Sequence, residues 1–187
     1  SRVDAINPEI VSKMKEAGCR RMFFGIESGN NSILKVMKKQ INVEQARKAV
    51  ELTAAAGIKA GAFFILGYPG ETEETILDTI RFATSLPLDY LSFTLPYPIP
   101  GTGLYERVKD HLKASNSPNS LHSAVPRHSF IDHTLNFQSS FSEKKLKFAI
   151  VKAMVQFKAK KYLGNFVYPL VGKPFEVLTD RIFKALR

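Results

Sequence analysis

The feature that most constrains the fold is a regular exchange of helix-like and strand-like segments between Asn7 and Pro96. Asn7 suits an N-cap and Pro8 the first helical position, and Ile10, Val11, Met14 and Ala17 recur at helical spacing until Gly18 offers a stop. Met22-Phe23-Phe24-Gly25-Ile26 then runs apolar without helical polarity, the pattern of a strand buried on both faces. Asn42 with Gln45 has the form of a capping box ahead of the stripe Val43, Ala46, Val50 and Ala54, which ends at Gly57. Residues 60 to 66 form a second apolar run. Thr72 then caps a helix whose first turn holds Glu73 and Glu74, Pro87 bars its continuation, and residues 90 to 95 make a third strand. Strand starts near 22, 60 and 90 leave room for βαβ units, which occupy about 30 residues or more, so the spacing predicts three adjacent parallel strands with their helices on one face. This is an α/β sequence. In such sheets ligands bind at the loops after the strand C-termini, which here begin at Glu27, Gly67 and Pro96.

The rest of the chain follows another pattern. A short helix is expected from 104 to about 112, and the stretch to 142 is rich in Ser, Asn and Pro. Its histidines, His122, His128 and His133, match no standard zinc spacing. From 143 to 163 a helix returns with two apolar stripes, one through Leu146, Ile150, Ala153, Met154 and Phe157 and one through Phe148, Val151, Val155 and Tyr162, with lysines between them facing solvent. A last helix is expected from 175 to 186. The chain thus divides into 1–105, an irregular connecting segment 106–142 and a helical extension 143–187. At 187 residues with 44% hydrophobic content it can bury a core. No apolar run approaches the roughly 18 residues of a membrane span, and a cytoplasmic location is expected.

Charge is unevenly placed. Of 27 Lys/Arg and 17 Asp/Glu, residues 1–105 hold 12 and 11, whereas residues 106–187 hold 15 and 6, a net +9. Either this is a solvated lysine face, or the Lys-rich helix of a non-catalytic α/β binding module meets nucleic acid or an anionic membrane.

Three loops carry the candidate chemistry. Glu27-Ser28-Gly29 puts a carboxylate and a hydroxyl at a strand end, where they can bind ribose hydroxyls or an ammonium group, or else cap the following turn. Gly67-Tyr68-Pro69-Gly70-Glu71-Thr72 lets backbone approach a flat or anionic ligand, although no Walker-type lysine follows it. Pro96-Tyr97-Pro98-Ile99-Pro100-Gly101-Thr102 is a proline-stiffened loop.

Taken in order, Arg2-Val3-Asp4, Ala17-Gly18-Cys19, Gly25-Ile26-Glu27-Ser28-Gly29, Gly67-Tyr68-Pro69-Gly70-Glu71-Thr72 and Pro100-Gly101-Thr102 resemble the second half of a radical S-adenosylmethionine core. The nearest subgroup carries a cobalamin-binding domain ahead of that core and is typified by the anaerobic magnesium-protoporphyrin IX monomethyl ester oxidative cyclase. The resemblance implies a partial TIM barrel, the second half of a (β/α)6 core, followed by a C-terminal helical extension. It implies a 4Fe-4S cluster that cleaves S-adenosylmethionine to a 5′-deoxyadenosyl radical, cobalamin held by a separate domain, and oxidative cyclase or methyltransferase-type chemistry on a small-molecule substrate. Carried over residue by residue, Glu27 and Ser28 would contact the ribose or amino acid part of S-adenosylmethionine. Ile65 and Gly67 would line the adenine side, Leu95 and Pro96 would complete that pocket, and Arg2 and Asp4 would face the barrel mouth. The cluster's three cysteines do not occur here: Cys19 stands alone. The chain is therefore expected to be a fragment of a longer enzyme, inactive by itself. Its partner is expected to be the N-terminal half of the same protein, with no specific affinity for nucleic acid; without that half, either self-association through the exposed strand edge near 22 to 26 or coverage of the open sheet face by the C-terminal helices, with 146 to 162 the best candidate, is expected.

Overall fold

The computed structural model describes residues 1–112 and 137–186. The zinc question at His122, His128 and His133 and most of the connecting segment lie outside the described residues. Strands β1 (Arg21–Glu27), β2 (Lys59–Ile65) and β3 (Tyr90–Thr94) form one sheet in the order β1-β2-β3, and both pairings are parallel, as their spacing predicts. A 3-10 turn (Val3–Ala5) and α1 (Pro8–Glu16) precede β1. Between β1 and β2 come a short α2 (Asn31–Val36), which the sequence pattern did not announce, and α3 (Val43–Ala55). Then α4 (Glu73–Ser85) joins β2 to β3, and α5 (Gly103–Val108) follows. The helix starts are built as expected. Asn7 Oδ1 accepts from the Ile10 amide at 2.9 Å, and both Asn42 with Gln45 and Thr72 with Thr75 form capping boxes.

The strands are buried on one face only, and there the both-faces reading is corrected. Met22, Phe24, Ile26, Ala62, Phe64, Leu91 and Phe93 enter the core against the helices. On the alternate positions Phe23, Phe63 and Tyr90 remain 40%, 39% and 40% exposed and pack edge-on or stacked on one another with centroids 5.7–6.1 Å apart. Gly61 makes this cluster possible: a Cβ there would lie 2.5 Å from the Phe23 ring.

The extension is one long element, α6 (Glu143–Ala185), broken at Gly164, whose φ of 65° and ψ of 177° reverse the chain. The last helix thus starts ten residues earlier than its prolines suggest, since Pro169 and Pro174 both lie inside the arm 165–185. The two arms run antiparallel: Lys145 Nζ donates to the Leu186 carbonyl at 2.7 Å, and Lys152 Nζ meets Asp180 Oδ1 at 2.7 Å.

This hairpin packs on α4 and beside β3 and leaves the aromatic cluster open, so the expectation that it covers the open sheet face is corrected. The reason is that α4 and its preceding turn offer what the hairpin needs. Leu146 fills the space over Gly67, where a Cβ would be 2.5 Å from its Cδ1. Lys145 pairs with Glu73, Lys184 with Glu74 at 3.4 Å, and Arg81 with Asp180 at 2.8 Å. Lys145 and Lys152 are accordingly buried, not solvated as their place in a lysine-rich run suggested.

The Lys152 side chain is only 1% exposed, so its charge depends on Asp180. Asp180→Ala should cost about 3–5 kcal/mol in urea unfolding, because it strands a buried ammonium, while the double change Lys152→Met/Asp180→Leu should recover most of that loss.

Candidate functional site

The three strands end side by side, and the open face there is assembled from small and polar groups. Phe63 pairs with Gly25 and Ser92, and Ile65 with Thr94. At the end of β1 the register slips between Gly25 and Glu27, and Glu27 takes φ of 74°, a left-handed conformation that costs a non-glycine residue about 1–3 kcal/mol. The bulge turns the side chain back onto the open face. A Cβ on Gly25 would sit 2.7 Å from Glu27 Oε1, so the carboxylate occupies the room that this glycine leaves. Lys39, from the loop after α2, closes the arrangement: its Nζ donates to Glu27 Oε1 at 3.1 Å and to the Gly25 carbonyl at 3.5 Å. Glu27 is thus a half-buried, oriented acceptor with a cation beside it, suited to hydroxyl or amine donors.

The remaining two residues of the Glu-Ser-Gly motif do other work. Ser28 is fully buried, bonds to Thr79 Oγ1 at 3.1 Å and accepts from the Asn30 amide at 3.1 Å. Gly29 lets the loop touch α4, since a Cβ there would lie 2.8 Å from the Thr79 Cα. Ser28 therefore faces α4 and not the open mouth. Ile65 lies on the open face. Leu95 and Pro96 are buried, whereas Thr94, which the motif reading passed over, is exposed there. Arg2 and Asp4 form a local exposed pair at 2.7 Å in the turn before α1. Lys39 was also missed, because it is twelve residues from its partner and belongs to no motif.

Gly67 opens the turn after β2 with φ of 89°, and the turn is locked from within by Glu71. Glu71 Oε2 accepts from the Gly67 amide at 2.6 Å and the Tyr68 amide at 2.9 Å. Its Oε1 is buried without a hydrogen-bond partner among the described residues. Burial pushes the carboxyl up to about 7, against the two amide donors that favour the charged form.

A carboxyl raised from 4.5 to about 7 binds its proton more tightly in the folded state, so it stabilises the fold at acid pH and loses that contribution as pH climbs from 4.5 through 7. The loss amounts to about 3 kcal/mol. Glu71→Gln keeps an acceptor for both amides and removes the charge. Urea midpoints at pH 5 and pH 8 should therefore differ by less in Glu71→Gln than in the parent chain, and an equal difference would contradict the assignment.

Among the described residues no cluster of three His, Cys, Asp or Glu side chains could hold a metal, and Cys19 sits in the turn before β1 with its Sγ donating to the Arg21 carbonyl at 3.4 Å.

Comparison with known proteins bears on the same region. The family model of the radical SAM superfamily matches residues 1–83. An uncharacterized methyltransferase of Pyrococcus horikoshii is 42% identical over 106 residues, 57% of this chain and 23% of that protein. The anaerobic magnesium-protoporphyrin IX monomethyl ester cyclase of Cereibacter sphaeroides is 26% identical over 177 residues, 89% of this chain and 29% of that protein. A solved structure of the archaeal Elp3 of Methanocaldococcus infernus superposes with a TM-score of 0.60 at 20% identity, over 83% of this chain and 31% of that one, which shows a shared fold. The chain spans about a quarter of the length of the curated relatives it matches. The part of the chain that resembles the radical SAM superfamily, residues 1–83, thus holds β1, β2, Glu27, Gly67 and Glu71.

Proposed function

We propose that the open sheet face is one wall of an S-adenosylmethionine site in a radical SAM enzyme of cyclase or methyltransferase type. The observation that carries this reading is Glu27, held in a strained conformation over Gly25 by a bulge and by Lys39, at the C-terminal end of a parallel strand. In that role Glu27 accepts from the ribose hydroxyls or the amino group, Ile65 and Thr94 give the adenine an apolar floor and a rim hydroxyl, and Lys39 orients the carboxylate. Ser28 and Gly67 serve through the loops they shape. When bound and reduced in such enzymes, S-adenosylmethionine supplies a 5′-deoxyadenosyl radical; the protein's part is to hold it and keep water away.

The cluster does not fit this chain. Cys19 is the single cysteine in the sequence, and three are needed for the family's cluster, so its ligands belong in this reading to another part of a longer protein. Cobalamin belongs likewise to a separate domain, and no residue here is assigned to it. The same longer protein would add a strand beside β1 and cover Phe23, Phe63 and Tyr90, and catalysis waits on that completion.

Titrating the nitrogen-15-labelled chain with S-adenosylmethionine should shift the amide signals of Gly25, Glu27, Ile65 and Thr94 along a saturable curve. Glu27→Ala should weaken the apparent affinity about tenfold, the worth of a hydrogen bond to a charged group. Gly25→Ala should do the same by displacing the carboxylate. Shifts confined to other residues, or none at millimolar ligand, would count against the site. Reconstituted anaerobically and desalted, the chain should retain no iron, and a stoichiometric, stable cluster would refute the assignment of its ligands elsewhere.

A further inference from the structure

The second arm of α6 uses a narrow stripe to hold the first. Tyr168, Gly172, Thr179 and Phe183 face inward, and Gly172 is needed because the Tyr168 ring lies where its Cβ would be. What points outward is apolar to a degree that a solvated helix does not need: Leu170 is 75% exposed, Val171 61%, Leu178 56% and Val177 53%. The polar groups are sorted by sign. Both carboxylates of the arm turn inward, Glu176 to accept from the Tyr168 hydroxyl and Asp180 to meet Lys152 and Arg81. The cations Lys173 and Arg181 turn outward and flank a shallow hollow floored by Pro169, Pro174, Val177 and Leu178.

We propose that this outward face of 165–185 docks on the surface of an anionic phospholipid bilayer. Apolar side chains between two cations, with every carboxylate of the arm withdrawn, match the boundary between lipid headgroups and acyl chains. The arm lies on the surface and does not cross it, since among the described residues no helix is long and apolar enough to span. Nucleic acid fits less well, because a phosphate backbone rewards Lys173 and Arg181 but leaves Leu170, Val171 and Leu178 without an apolar counterpart. A second copy fits less well too. A two-fold contact would set this face against itself and bring like charges together with no outward carboxylate to offset them.

The test is co-sedimentation of the full chain with vesicles of phosphatidylcholine alone and of phosphatidylcholine with about one third phosphatidylglycerol. Binding should occur to the anionic vesicles and fall at least about tenfold on the neutral ones. The pair Leu170→Ser/Leu178→Ser and, separately, Lys173→Gln/Arg181→Gln should each weaken it by about tenfold or more. All four positions are exposed, and a far-ultraviolet spectrum matching the parent chain confirms that each variant is folded. No association with anionic vesicles would overturn the proposal, as would association that the leucine pair leaves unchanged. Preferential binding of single-stranded RNA, abolished by salt and indifferent to the leucines, would assign the face to nucleic acid instead. A dimer that the leucine pair dissociates, without vesicle binding, would assign it to a second copy.

Discussion

Parallel strands that pair in sequence order have to be joined by crossovers, and right-handed crossovers put every connecting helix on the same side of the sheet. That constraint organises this molecule. With α3 and α4 committed to one face, the other face of β1, β2 and β3 is left to side chains that do not need helices, and two glycines govern what happens there. Gly61 lets the Phe23 ring lie flat between its neighbours, and Gly25 lets a carboxylate fold down onto the sheet. An alanine at either position would fill that room, so the composition of the open face is set by what is absent from it as much as by what is present.

The same constraint explains why the hairpin of α6 attaches where it does. The aromatic part of the open face, Phe23, Phe63 and Tyr90, offers no carboxylate to a lysine, while the N-terminal turn of α4 presents Glu73 and Glu74, which already suit the helix dipole, and Arg81 stands two turns further on. Burying Lys145 and Lys152 is costly in isolation, and the cost is offset only because each ammonium has a carboxylate within bonding reach and, for Lys145, the Leu186 carbonyl and the Phe141 and Phe183 rings as well. Part of the positive excess of residues 106–187 is therefore spent inside the molecule, on α4, while Lys144, Lys158 and Lys161 of the first arm and Lys173 and Arg181 of the second stay exposed.

How much of this was legible beforehand depended on the range of the signal. Helix starts were legible because a cap and its target amide lie within three residues, as at Asn7, Asn42 and Thr72. Strand order was legible because each connection carries a helical pattern and has the length of a βαβ crossover, which joins parallel strands of one sheet. One-sided burial was not. A run such as Met22 to Ile26 is apolar at every position, and only the missing cover on one side distinguishes Phe23 from Phe24. The direction of Ser28 was hidden for a related reason: its partner Thr79 is 51 residues away, and Glu-Ser-Gly reads as one motif although the bulge sends its carboxylate to one side and the hydroxyl packs on α4. The reversal at Gly164 was obscured by Pro169 and Pro174, whose helix-breaking preference was overridden by tertiary packing of Tyr168 and Phe183.

The turn from Gly67 to Thr72 is where the two halves of the structure meet. Its backbone leaves β2 just beyond Ile65, its interior is tied by Glu71, Leu146 rests on its first glycine, and Glu73 receives Lys145 one residue past its end. A substitution that loosens the Glu71 bonds therefore cannot be confined to the loop: the amides of Gly67 and Tyr68 lose their acceptor, the seat of Leu146 shifts, and the first ion pair of the hairpin shifts with it. Conversely, anchoring of the hairpin restrains the strand end that carries the candidate site. The local geometry at the mouth is thus maintained from the far side of the sheet, by residues more than seventy positions later in the chain.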